Sequence, residues 1–301
     1  MTRQTRAYLN ALGAVGFWST VATAFKLSLE QLTPAALLAY SSGISAIALF
    51  IILIIKGEIG EIRRNSPGDW LRSAALGALN PFLYYIVLFR AYDLLPAQEA
   101  LSLNYTWALA VALLSIPMLG QRIGARNIAA LFISFFGVVI IATRGDVASL
   151  EFENPEGVTL AVGSSIIWAV FWLLNVRDKR SEIVKLFLNF VFGFAYSLIF
   201  YIITEGFELP GATGLAGAAY VGLFEMGITF VLWLRALNLS RTTAQVSNLI
   251  YISPFLSLAI INFVLGESLR WSTFAGLLLV VAGIVLQQRR GIKRLKILNS
   301  E

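Results

Sequence analysis

The chain has 301 residues, 58% hydrophobic and only 13% charged, with mean hydropathy +0.77 and a formal net charge of +6. A soluble domain of this length cannot hide so much apolar surface, which excludes a soluble globular fold, disorder, collagen and a coiled coil, and leaves an all-α polytopic membrane protein. Cys and His are both absent, which excludes disulfides, thiolate nucleophiles, a Cys-based metal site, a zinc hydrolase and a Ser-His-Asp triad. No metal or cofactor is expected, and proton chemistry falls to carboxylates, Lys or Tyr.

A membrane helix needs about 20 apolar residues. Ten such segments follow in order: 8–27, 35–55, 71–91, 97–118, 127–143, 157–176, 184–203, 214–236, 243–265 and 272–288. The breaks carry loop signals: Pro34, the charged stretch from Lys56 to Asp69, Pro96, Glu151-Phe-Glu-Asn-Pro155 and Pro210-Gly211. The first apolar run is full length and lacks a small-residue cleavage site, so it reads as a span and not as a signal peptide. Spans four and nine carry Pro117 and Pro254, which helix bundles tolerate.

Lys and Arg set the expected orientation. With the N-terminus in the cytoplasm, only Lys26, Arg90, Arg144 and Arg270 of the 23 basic residues fall on the far side. The far-side loops carry Asp146, Glu151, Glu153, Glu156, Glu205 and Glu208. Ten spans then leave both termini in the cytoplasm, with the basic tail after Gln288 as a topology anchor. Because the basic residues sit in loops between spans, the expected partner is the lipid bilayer and no nucleic acid.

The two halves of the sequence echo each other. Phe89-Arg-Ala-Tyr92 is repeated as Leu234-Arg-Ala-Leu237, and Pro96-Ala-Gln98 as Thr243-Ala-Gln245. Leu119-Gly-Gln121 returns as Leu265-Gly-Glu267, Phe136-Gly-Val-Val139 as Ala282-Gly-Ile-Val285, and Gly13 and Trp18 as Gly163 and Trp168. The domain reading is a first five-helix repeat over 1–146, an outer linker over 147–156, a second repeat over 157–290 and a basic tail over 291–301. An odd number of helices per repeat inverts the second relative to the first, a recurring plan of secondary transporters with a site at the midplane.

These motifs resemble the drug/metabolite transporter superfamily, with two EamA-type repeats. The resemblance rests on Gly13, Gly16, Phe17, Trp18 and Ser19, on Arg90-Ala91 and Arg235-Ala236, on Leu265-Gly-Glu267, and on Gly276 with Gly283. It implies a ten-helix exporter or exchanger of small metabolites that does not hydrolyse ATP, and the sequence has no Walker loop. Leu103-Asn-Tyr-Thr-Trp107 is similar to the YddG-type aromatic amino acid exporters, although Ala108 stands where many of those carry Pro and Gln121 where the repeat usually has Glu. The function implied is export of aromatic amino acids, extending to other neutral ones, across a bacterial inner membrane, by a monomer or a dimer.

A metabolite crossing such a bundle needs a cavity with matching walls and a few polar handles. Aromatic walls suit aromatic substrates and also cations. The candidates are Trp18 in span one; Asn80, Tyr84 and Tyr85 in span three; Ser102, Tyr105 and Trp107 in span four; Trp168 and Trp172 in span six; Glu225 in span eight; and Asn248 and Tyr251 in span nine. An intramembrane ionisable residue is costly and marks function by default. Glu225 is open to three roles: holding a substrate ammonium, taking up a proton during exchange, or sitting protonated in a hydrogen bond to a neighbouring helix. Asn80 is its counterpart in the first half, so the two are expected to face one cavity.

Other residues read as structural. Trp70, Trp233 and Trp271 near span ends are expected as interface anchors. Lys26 and Arg90 snorkel to the outer surface, or one of them meets a substrate carboxylate at the exit. Gly276 and Gly283, with Ala130, Ser134 and Gly137, are expected to pack helices within each half, a dimer seam being the alternative. The same aromatic walls and single carboxylate also fit a multidrug or organic-cation exporter. Nucleotide sugars and sugar phosphates fit poorly without a mid-span Lys or Arg. An intramembrane enzyme would need a cluster of carboxylates, His or Cys that the spans lack.

Overall fold

The computed structural model describes residues 1–119, 125–148, 154–240 and 248–288, and among these every regular element is helical. The expected repeats at Gln121 and at Thr243-Ala-Gln245, the linker core and the basic tail lie outside the described residues. The helices are α1 (Arg3–Leu29), α2 (Pro34–Lys56), α3 (Ile59–Ile62), α4 (Pro67–Gly77), α5 (Tyr84–Leu94), α6 (Ala97–Asn104) and α7 (Trp107–Leu119). They continue as α8 (Ala125–Ala142), α9 (Pro155–Val176), α10 (Glu182–Glu205), α11 (Ala212–Tyr220), α12 (Ile228–Leu239), α13 (Ser253–Leu265) and α14 (Trp271–Gln288).

Local chemistry sets the ends. Thr33 caps α2 through the Ala36 N–H with Pro34 at the first turn, where a missing N–H costs nothing. Ser66 and Asp69 form a reciprocal capping box on α4. Gly57 ends α2 at φ 70°, a left-handed conformation that glycine adopts without a Cβ penalty.

Among the described residues seven stretches are long and apolar enough to cross a membrane: Arg3–Leu29, Pro34–Lys56, Pro67–Leu94, Ala97–Met118, Pro155–Asn175, Glu182–Glu205 and Ala212–Trp233. Three shorter apolar helices, Ala129–Ala142, Leu249–Leu265 and Trp271–Leu286, fall where spans five, nine and ten are expected.

Four of the expected continuous spans are interrupted. Between α4 and α5 a π-helical turn, Ala78–Leu83, contains Asn80 in an extended conformation followed by Pro81. Between α11 and α12 a second π-helical turn, Val221–Glu225, leads to Gly227, which is also off the helical conformation. The Thr229 hydroxyl donates to the carbonyl of Phe224 and so satisfies a group freed by this break. α6 and α7 are separated at Tyr105 and Thr106, and a 3₁₀ turn, Asn248–Ile252, precedes α13. Pro254 therefore opens a helix instead of kinking one.

The packing alternates between the two halves of the chain. α1 lies on α12 and α13, α9 on α5, α6 and α7, and α2 on α10. The most extensive pairing is α8 with α14. Its helices approach closely because small residues face each other: a Cβ on Gly137 would stand 2.5 Å from the Gly276 carbonyl, and one on Gly276 2.6 Å from that of Gly137. Gly283 packs on Ser134 and Ala130 in the same way. The small-residue stripe therefore joins one half to the other, correcting the expectation of packing within each half. The stripes on α8 and α14 are complementary to each other.

Polar networks close both ends of the bundle. At one end the Arg180 guanidinium donates to Asp178, to Asn65 Oδ1 at 3.0 Å, to the Asp69 carbonyl at 3.2 Å and to Ser73 Oγ at 2.9 Å. Burial alone would raise the Asp178 carboxyl, but the hydrogen bonds and charge of Arg180, with Lys185, outweigh it and hold Asp178 below its ordinary value. At the other end buried Glu99 accepts from Arg144 at 2.8 Å and from Arg270. Beside it the Glu267 carboxylate accepts the N–H groups of Ala97 at 2.8 Å and Gln98 at 3.3 Å, capping α6. Lys26 donates to the Tyr92 carbonyl at 2.6 Å and lines an open cleft of about 430 Å³ with Glu30, Asp93 and Glu267.

Candidate substrate site

Side chains from five elements meet in one place, those of α5 and of the second π-helical turn beside the helix breaks. Tyr84 and Tyr85 begin α5, just after the Asn80–Pro81 break, and Glu225 ends the second π-helical turn. The Tyr85 hydroxyl donates to Glu225 Oε1 at 3.0 Å, and the Trp18 indole lies close to the same carboxylate. Glu225 Oε2 is shielded from solvent and has no partner.

Aromatic rings run on from this carboxylate. Tyr84 stands against Tyr85 and against Trp168, both with ring centroids 4.6 Å apart. Trp168 meets Trp172 at 5.8 Å and Phe230 at 6.1 Å, and Phe230 meets Trp18 edge-on at 6.0 Å. Phe230 thus joins the two tryptophans that the sequence matches across its halves. Centroid separations and edge-on geometries of this kind are the favourable ones for aromatic pairs.

The remaining candidates separate. Tyr105 lies near Ser253, which receives the Ser19 hydroxyl at 3.2 Å. Asn104 accepts from Tyr84 at 3.3 Å and donates to Ser164 at 2.9 Å. Ser102 is buried, and its hydroxyl is spent on the Gln98 carbonyl. Trp107 opens α7 and makes no ring contact with the cluster among the described residues. Tyr251 packs at the edge of the core beside Leu109 and Val280. The Asn248 side chain lies outside the described residues. Asn80 is buried with both amide atoms unpartnered. It lies in the break that packs on α10, where Gly193 sits against Pro81, and no hydrogen bond joins it to Glu225.

Two aromatic residues enter the site that the sequence reading passed over. Phe230 is one of 21 phenylalanines, and its only signal is a position one turn before Trp233. Trp233 packs on Trp18 at 5.4 Å, so it belongs to this cluster and not to the interfacial belt. Trp271, 79% exposed, and Trp70, on the surface of α4, remain at the periphery.

The sequence profile of the EamA-like transporter family matches residues 5–143 and 155–287. The chain belongs to the EamA-like transporter family. It contains two EamA-like regions, it is a multi-pass membrane transporter, and it is not an enzyme. An uncharacterized transporter of Archaeoglobus fulgidus is 25% identical over 281 residues, covering 89% of this chain and 92% of that protein. The aromatic amino acid exporter YddG of Ancylobacter novellus is 25% identical over 233 residues, covering 76% of this chain and 79% of the exporter. A solved crystal structure, 22% identical, superposes with a TM-score of 0.67 over 97% of this chain and 99% of its own, a likeness of fold alone.

Proposed function

We propose that this EamA transporter exports aromatic amino acids, and other neutral amino acids, by alternating access of a central site. The carrying observation is the ring series Tyr84, Trp168, Phe230 and Trp18 beside Glu225. Flat apolar walls with one polar anchor match an indole or phenyl side chain bearing a charged head. The similarity to a relative named as an aromatic amino acid exporter supports the same reading.

The architecture proposed is ten spans in two inverted five-helix repeats, bounded at 1–146 and 157–290, with both termini in the cytoplasm. Contacts recur in reciprocal form in its favour: α1 on α12 against α9 on α5, and α1 on α13 against α9 on α7. The Ser19–Ser253 hydrogen bond between α1 and α13 has its counterpart in Thr106–Ser165, between the start of α7 and α9. Both helix breaks, at Asn80 and Gly227, fall at corresponding points of the halves, where inverted-repeat transporters place their sites.

Export is tested by counterflow in proteoliposomes preloaded with unlabelled tryptophan. Accumulation of labelled tryptophan, blocked by phenylalanine and tyrosine, is the expected result. Failure to accumulate any aromatic amino acid removes the reading.

A further inference from the structure

Among the described residues the proposed site carries a single ionisable acid, Glu225. Glu225 has one oxygen occupied by Tyr85 and the other, Oε2, without a partner. The elements packed around its turn are α1, α2, α11 and α12, with α5 reaching it through Tyr85. Their cationic side chains are placed elsewhere. Lys26 donates to the Tyr92 carbonyl, and its acidic neighbours are Glu267, Asp93 and Glu30. Lys56 pairs with Glu58, and Arg90 with Asp93 and Glu156. Arg3, Arg6 and Arg235 are exposed.

The groups that do surround the carboxylate are rings. Tyr85 donates to it, Tyr84 stands against Tyr85 with ring centroids 4.6 Å apart, and the Trp18 indole lies close by. The faces of such rings attract a cation. A carboxylate taken out of water with an open oxygen and no cation is costly, and the cost is relieved when a cation arrives. A substrate carboxylate has the opposite prospect, because no Lys or Arg meets it among the described residues of the cluster. The amide nitrogen of Asn104 is already committed to Ser164. The amide of Asn80 is open, but it is a neutral handle and gives an anion less than a cation would.

From the aromatic-substrate reading, on which this step rests, we infer that the site recognises its substrate by the ammonium group, with Glu225 as the counter-charge and the tyrosines and Trp18 as the cage. The substrate carboxylate is dispensable, and aromatic monoamines belong to the ligand class of the site. The ion pair forms between Glu225 Oε2 and the ammonium as the indole or phenyl ring lies along Tyr84, Trp168 and Phe230.

The test is competition against counterflow of labelled tryptophan by three compounds that share the indole: unlabelled tryptophan, tryptamine and indole-3-propionate. Tryptamine is expected to compete within about threefold of tryptophan, and indole-3-propionate to be weaker by about tenfold or more. Glu225→Gln is expected to weaken tryptamine by about tenfold and to bring the two analogues together. The wild-type series decides on its own if that variant fails to fold. Indole-3-propionate competing as well as tryptophan, or all three competing equally, overturns the inference and leaves the exporter reading in place. Absence of counterflow with tryptophan itself overturns both.

Discussion

Tyr85 on α5 and Glu225 on the second π-helical turn are 140 residues apart in the chain and joined by a hydrogen bond of 3.0 Å. The bond ties the first EamA-like region to the second at the aromatic cluster. Removing its donor leaves a second carboxylate oxygen exposed to an apolar wall. Tyr85→Phe keeps the ring, so shape is preserved. The expected effect is a loss of about 1–3 kcal/mol at the site, read as a raised half-saturating tryptophan concentration at unchanged folded yield. An unchanged concentration dependence would detach Tyr85 from substrate handling.

The ring series makes a sharper contrast. Phe230→Ala removes a wall that two other rings touch, and Trp168→Ala one that four touch. Counterflow is expected to fall by about tenfold or more in both, as ring contacts and buried area are lost. Trp107→Ala, on a residue without ring contacts to the cluster, is expected to transport near the wild-type rate. Equal losses in all three would mean that the cluster is packing and that selectivity lies elsewhere.

How much of this was legible in the sequence follows from the kind of signal each feature leaves. Apolar stretches and loop charges mark the spans, because the bilayer demands a long run of apolar residues whatever the fold. Trp18, Trp168 and Glu225 stand out as rare residue types in mid-span. The breaks at Asn80 and Gly227 did not stand out, since a Pro or Gly in a membrane helix is often tolerated without unwinding. Phe230 and Trp233 were missed or misplaced because their role comes from facing Trp18 on another helix, and spacing along one segment does not report that. The α8–α14 seam has the same cause: each stripe was visible, but its partner was not.

That seam gives a stability prediction. A Cβ on Gly283 would stand 1.9 Å from Ser134 Oγ and 2.6 Å from the Ala130 carbonyl, and the carbonyl belongs to backbone that cannot swing aside. Gly283→Leu is expected to destabilise by at least about 1–3 kcal/mol, the usual range for overpacking, read as a lower melting temperature in detergent. Gly16→Ala, where nothing lies within 4 Å of the added carbon, is expected to melt as wild type. A Gly283→Leu protein melting with wild type would contradict the close α8–α14 approach.

The Asp178–Arg180 clamp gives the pH dependence. Burial pushes the Asp178 carboxyl up, but the bonds and charge of Arg180 pull it further down, so the folded value lies below the ordinary carboxylate range. A carboxyl depressed in the folded state contributes stability that is fully present above its unfolded pKa and is lost as pH falls through the folded one. Asp178→Asn is therefore expected to lower the melting temperature at neutral pH, with the gap to wild type closing below about pH 4. A gap that stays constant into acid would mean that the carboxylate charge contributes nothing to the clamp.

The central claim is that the aromatic cluster beside Glu225 binds the transported molecule. Its most direct test is counterflow of labelled tryptophan in proteoliposomes, wild type and Phe230→Ala side by side, with folded yield measured for each. The account predicts accumulation in the wild type that phenylalanine and tyrosine block, and its loss in a folded Phe230→Ala protein. Wild-type accumulation in the variant, or none in the wild type, would contradict it.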